Sequence, residues 1–132
     1  MVPQNYRAMP PANFISSNPA STRRFHMSER FQSEIYIEKV GFAFRNGAHD
    51  LMDLRFWISD KQAIADDSTT GPGASLLGGY GLQDHVSGNH ENKLWLPIER
   101  EMEAGRRLCV DADNTDSFAH KLDVTFIIYE VV

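Results

Sequence analysis

The chain has 132 residues, of which 42% are hydrophobic and 11% aromatic, and it carries a net charge of −5 from 13 basic and 18 acidic side chains. This is enough chain for one domain with a real core and too little for two comfortable ones. The composition excludes a disordered polymer, the charge gives no general attraction to nucleic acid or anionic membranes, and no apolar run approaches the ~20 residues of a membrane-spanning helix. Cys109 is the single cysteine, so no intrachain disulfide can form, and in Leu108-Cys109-Val110 it reads as a small hydrophobe. The first residues, Met1-Val2-Pro3-Gln4-Asn5-Tyr6, lack the charged start and apolar block of a signal peptide, so synthesis in the cytoplasm is the expectation.

Residues 1–32 predict an extended N-terminal arm, set apart from a β-domain over 33–132. Pro3, Pro10, Pro11 and Pro19 punctuate the arm, and neither strand nor helix period persists. Tyr6, Met9, Phe14, Ile15, Phe25 and Phe31 alternate there with Arg7, Arg23, Arg24 and Arg30, which is too aromatic for a disordered tail. Two dispositions follow: an arm folded back along its own domain, or one laid across a neighbouring subunit with aromatic and arginine anchors.

From residue 33 the pattern is β. Ile35 and Ile37, then Val40, Phe42 and Phe44, alternate with polar or small residues, and the phase change across Glu38-Lys39 predicts a β-bulge. Asn46-Gly47 is a tight-turn signal, and Met52, Leu54, Phe56 and Ile58 alternate beyond it, so the two runs read as a hairpin. Residues 60–92 are irregular and glycine-rich, with a helical turn over 61–65 and a short strand near Leu76–Leu82. Leu94, Leu96 and Ile98 resume strand character. Glu99 to Gly105 reads as a solvated connection, Leu108 and Val110 as strand, and Asp111 to Asp116 as turn chemistry. Phe118, His120, Leu122, Val124, Phe126 and Ile128 line one face of a long last strand. Seven or eight strands of this kind predict an all-β fold, an antiparallel β-sandwich or jelly roll with the terminal strand central.

Chemistry-bearing motifs are weak. Asp111, Asp113, Asn114 and Asp116 lack the glycine and glutamate of an EF-hand, although a sandwich loop can collect calcium by another geometry. His85 and His90 have zinc-like spacing without identifiable further ligands, and His120 reads as a satisfied core histidine. The glycine-rich stretch 71–81 lacks the lysine of a phosphate loop. No cofactor, metal or catalytic residue is assigned, and the chain is read as a binding protein rather than an enzyme. Trp57 and Trp95 each point away from the apolar row of their strand, and Ile127 and Tyr129 add apolar surface to the outer face of the last strand. Such residues cover an interface, lie under the arm, or stack on sugars.

The irregular Pro/Arg/aromatic arm through Arg30, the disulfide-free sandwich after it and the closing segment Leu122-Asp123-Val124-Thr125-Phe126-Ile127-Ile128-Tyr129-Glu130 together resemble the jelly-roll decoration, or cement, proteins of tailed bacteriophage capsids. The likeness spans nearly the whole chain and is architectural. It implies a virion protein on the capsid surface, dimeric or trimeric, whose arm clamps neighbouring major capsid protein subunits, with no nucleic-acid or membrane partner. Tyr6, Phe14, Arg23, Arg24, Phe25, Trp57 and Trp95 are then the expected capsid and subunit contacts. On this view Arg23 and Arg24 can be exchanged for alanine with loss of attachment and an intact fold. The rival expectations are a carbohydrate- or receptor-binding sandwich of a tail or fibre, using Trp57 or Trp95, and a small jelly-roll enzyme using His85, His90 and nearby carboxylates.

Overall fold

A computed structural model describes residues 2–45, 51–60, 73–77, 85–89 and 91–132. The expected Asn46-Gly47 turn, the helical turn over 61–65, most of the glycine-rich stretch and His90 lie outside these residues.

Alternating apolar residues produce strands wherever the pattern is clean. They are β1 (Tyr6–Ala8), β2 (Ala12–Asn18), β3 (Thr22–Met27), β4 (Ile35–Arg45), β5 (Met52–Ser59), β6 (Gly73–Ser75), β7 (Leu94–Met102), β8 (Arg107–Asn114) and β9 (His120–Val131). One sheet runs β1-β9-β4-β7, with β2 pairing the same edge of β9 as β1, and the second runs β3-β8-β5-β6. All pairings are antiparallel. Successive strands β2, β3, β4 and β5 alternate between the sheets, and the orders β2-β9-β4-β7 and β3-β8-β5-β6 are those of a jelly roll built from two Greek keys. The long last strand is internal, as expected.

The apolar rows of the two sheets face one another. Ile35, Ile37, Val40, Phe42 and Phe44 of β4 meet Met52, Leu54 and Phe56 of β5 and Leu122, Val124, Phe126 and Ile128 of β9 in one buried cluster. Phe56 and Phe126 pack edge to face across the sheets, centroids 5.7 Å apart, the offset that aromatic quadrupoles favour. The expected bulge is present: the register of β4 shifts between Ile37 and Lys39 against both β7 and β9. One extra residue restores the inward phase for Val40, Phe42 and Phe44.

The first thirty residues are folded back along their own domain. Residues 6–8 and 12–18 form the outer edge of the first sheet on β9, and 22–27 form the edge of the second on β8. Beyond β3, the Phe31 N–H donates to the Arg106 carbonyl (3.0 Å) and the Phe31 carbonyl accepts from Gly105 N–H (2.8 Å), while Arg30 Nη1 donates to the Gly105 carbonyl (2.6 Å). The prolines sit in the gaps: Pro10 and Pro11 separate β1 from β2, and Pro19 separates β2 from β3.

Four local readings are corrected. β4 and β5 are not a hairpin but belong to different sheets, because the jelly roll carries the chain across the core at this point. Glu99 to Met102 continue β7 rather than leaving it, paired with β4 through Ile35↔Met102. Asp111 to Asn114 are the end of β8, and Phe118 precedes β9, 70% exposed, instead of lying on its apolar face.

Candidate functional site

Five of the seven contacts expected from sequence lie on the outer faces of the sheets, in two separate groups, while Phe14 and Arg24 do not.

On the β3-β8-β5-β6 sheet, the outward row of β8 is Cys109, Asp111 and Asp113, opposite Met27, Phe25 and Arg23 of β3 and Trp57, Arg55 and Asp53 of β5. Asp111 is fully buried although it faces outward. Arg23 closes over it with Nε donating to Oδ1 at 2.9 Å and Nη2 to Oδ2 at 2.6 Å. Trp57 Nε1 donates to Oδ2 from the other side at 3.2 Å. The Arg23 guanidinium also stacks 5.1 Å from the Phe25 ring centroid, and Phe25 is itself buried. Arg23, Phe25 and Trp57 are therefore a covering layer over a buried carboxylate. Such a bidentate pair is stable because both oxygens of the desolvated charge are satisfied. Cys109 is fully buried in the same layer, and burial, with the Asp111 charge adding, pushes its thiol up to about 12. The thiolate that nucleophilic chemistry needs does not form near neutrality.

On the other sheet, Tyr6 is buried against Tyr36 (centroids 5.6 Å) and its hydroxyl donates to Glu34. Tyr129 donates to Glu38 Oε1 at 3.3 Å. Burial first, and then the neighbouring carboxylates, raise the hydroxyl of all three tyrosines above the usual phenol value. Trp95 lies in this face beyond them. Its ring rests on Gly41, where a methyl group would fall 2.7–2.9 Å from three ring carbons, and it remains 44% exposed.

The remaining contacts expected from sequence fall elsewhere. Phe14 is in β2 and packs into the core edge to face with Phe126, centroids 5.9 Å apart. Arg24 is half-buried on β3 opposite Ala112. The seven residues thus do not converge on one surface, and Tyr6, Phe14, Arg23 and Phe25 are committed to the chain's own fold. The bidentate contact to buried Asp111 gives Arg23 a structural role, which sets the expected intact fold of an alanine variant in question.

The acidic run 111–116 is divided. Asp111 serves Arg23, whereas Asp116 Oδ2 lies 2.6 Å from Nε2 of the buried His120. That hydrogen bond, with those from Ser117, holds the Asp116 carboxyl below its ordinary value. His85 lies 3.9 Å from Asp53, and no group of three metal-ligating side chains occurs among the described residues.

Sequence reasoning passed over the end of the sandwich formed by residues 19–21, Leu51 and 115–119. Asn114, buried in β8, ties this end together: its Nδ2 donates to the carbonyls of Asn18 (3.2 Å), Pro19 (3.1 Å) and Phe118 (2.9 Å), and its Oδ1 accepts from Asp116 N–H (3.0 Å). Thr115 N–H and Oγ1 both donate to the Leu51 carbonyl at 2.9 and 2.7 Å. Phe118 (70% exposed) and Leu51 (41%) stand out from that frame. An apolar residue in a segment of turn residues was the signal available in the sequence.

The chain matches no family model and no curated protein.

Proposed function

We propose that the chain is a structural virion protein that binds the outside of an assembled bacteriophage capsid and stabilises it by clamping neighbouring major capsid subunits. It acts by binding, as a dimer or trimer made in the host cytoplasm and seated on the shell. The observation that carries the reading is Phe118, an aromatic side chain held outside the core on a backbone fixed by Asn114. An exposed aromatic on a fixed backbone is the kind of anchor on which protein interfaces concentrate their binding energy, because the backbone there is already ordered before binding. Leu51, 41% exposed and tied through its carbonyl to Thr115, adds apolar surface at the same end of the sandwich. The jelly-roll order of the strands is the fold that the resemblance to decoration proteins implies, and it supports the reading at that level.

In this reading the clamp is the loop end and not the N-terminal segment, whose aromatics are used internally. Binding that occurs only on the assembled shell stabilises that state by mass action, and repeated copies on a lattice add effective concentration. Titrating the full chain onto mature heads that lack it, followed by sedimentation, tests the proposal. Saturation at a fixed number of copies is expected, with occupancy strongly reduced by Phe118→Asp. Failure of the wild-type chain to sediment with heads would overturn it.

A further inference from the structure

We propose that the outer face of the β1-β9-β4-β7 sheet holds a carbohydrate-binding site, in which the Trp95 indole is the platform for a pyranose ring. The inference stands on the geometry around Trp95 and does not rest on the capsid reading.

The indole belongs to β7, an edge strand, yet it lies inward across β4 because Gly41 has no side chain to hold it off. The benzo part of the ring is thereby set against Gly41 while the residue stays 44% exposed. Its Nε1–H has no acceptor among the described residues. A flat, fixed indole with an unused donor at its rim matches a pyranose, whose C–H face packs on the π system while its hydroxyls point outward.

The neighbours supply the polar part. In one row across the sheet stand Asn13, Thr125, Gly41 and Trp95. Thr125 Oγ1 donates to Asn13 Oδ1 at 2.8 Å, which orients the Asn13 amide and leaves its Nδ2 without a described partner. Asn13 lies two strand spacings, roughly 10 Å, from the Gly41 position under the indole, within reach of a second sugar unit. The next row carries the Lys93–Asp123 ion pair at 3.3 Å, off the hydrogen-bonding direction. Lys39 places Nζ 5.0 Å from the ring centroid. Lys39 is half-buried, so this cation–π contact is worth about 0.5–2 kcal/mol, and a bound sugar must draw the flexible chain aside, where it can donate to a hydroxyl or a carboxylate. Gly41 acts as a positioning residue that keeps the platform flat.

The test uses the intact chain labelled with nitrogen-15, whose two indole N–H signals are separated by a Trp57→Phe variant. Dextran and mannan oligosaccharides serve as neutral probes and oligogalacturonate as the acidic one, each taken to millimolar concentration. A saturable shift of the Trp95 signal by at least one probe is expected, with Trp57 unmoved. Trp95→Ala should abolish binding, and Gly41→Ala should weaken it roughly tenfold, the loss of about one stacking contact. Circular dichroism controls for folding, and the exposed Trp95 and Asn13 give variants that do not depend on tolerance at Gly41. Lys39→Gln separates the two arms, since it lowers affinity for the acidic probe alone if the ammonium meets a carboxylate. The proposal is overturned if no probe shifts Trp95 saturably, or if binding survives Trp95→Ala.

Discussion

Arg23 and Asp111 are 88 positions apart in the chain and share two parallel hydrogen bonds, at 2.9 and 2.6 Å, across the β3–β8 pair. The Asp111 side chain is fully buried, while that of Arg23 is 21% exposed. Removing the guanidinium leaves a desolvated carboxylate with the Trp57 indole as its one side-chain donor among the described residues. Arg23→Ala should therefore cost about 2–4 kcal/mol, near the lower end of the loss for orphaning a buried charge. Urea unfolding followed by intrinsic fluorescence reads this directly, and a change below about 1 kcal/mol, the level of an exposed pair, would show that Arg23 is not structural.

Deletion of residues 1–30 should abolish the fold. It removes β1, β2 and β3 and leaves β9 and β8 as bare edges beside the core, a geometry prone to aggregation. The expected outcome is insoluble or non-cooperatively melting protein. A truncated chain with a sharp melting transition would show that these strands are dispensable.

Much of this architecture is legible in the sequence, and the misread parts have physical causes. The period-2 rows of β4, β5 and β9 and the bulge after Ile37 come directly from residue order. The edge strands β1 to β3 are obscured because prolines flank them closely and their inward residues include Ser16, Asn18 and Arg24 beside the apolar Phe14. Pro97 lies within β7 itself, which is tolerated on an edge strand. Sheet membership of β4 and β5 depends on partners far along the chain, so the turn signal between them suggested the wrong pairing. Asp111 reads as turn chemistry because its compensating arginine is remote in sequence, and Phe118 reads as part of a strand face because the alternation continues formally through it. The Trp95 platform was half legible: the outward direction came from alternation, but the gap at Gly41 that receives the ring appears only with cross-strand register.

Cys109 should be inert in the native state. Its thiol is fully buried and pushed up to about 12, so an aromatic disulfide reagent at pH 8 should titrate no thiol in the folded protein. One equivalent should appear after denaturation. Rapid native-state reaction would contradict the burial.

Stability should fall in acid partly through Asp116. Its carboxyl is held below the ordinary value chiefly by the hydrogen bond to His120. The stabilisation is present above the unfolded carboxyl value and is lost as pH drops through the lower folded one. Asp116→Asn should accordingly lower the melting temperature at neutral pH, and the difference from wild type should shrink at strongly acidic pH. A difference that stays constant with pH would contradict the assignment.

Asn114→Asp should be strongly destabilising, because a carboxylate would replace the amide nitrogen that faces three carbonyl oxygens. The loss of those donors in a buried position should cost about 2–4 kcal/mol, measurable by chemical denaturation. It should also loosen the loop that presents Phe118 and so reduce attachment at temperatures where the fold persists.

The rupture temperature of mature heads tests most directly the proposed stabilisation of an assembled capsid by binding to its outer surface. Heads lacking the protein should rupture at a higher temperature once the full chain is added, with the shift saturating as sites fill and largely absent with Phe118→Asp. An unchanged rupture temperature, with the chain remaining in the supernatant, would contradict the claim.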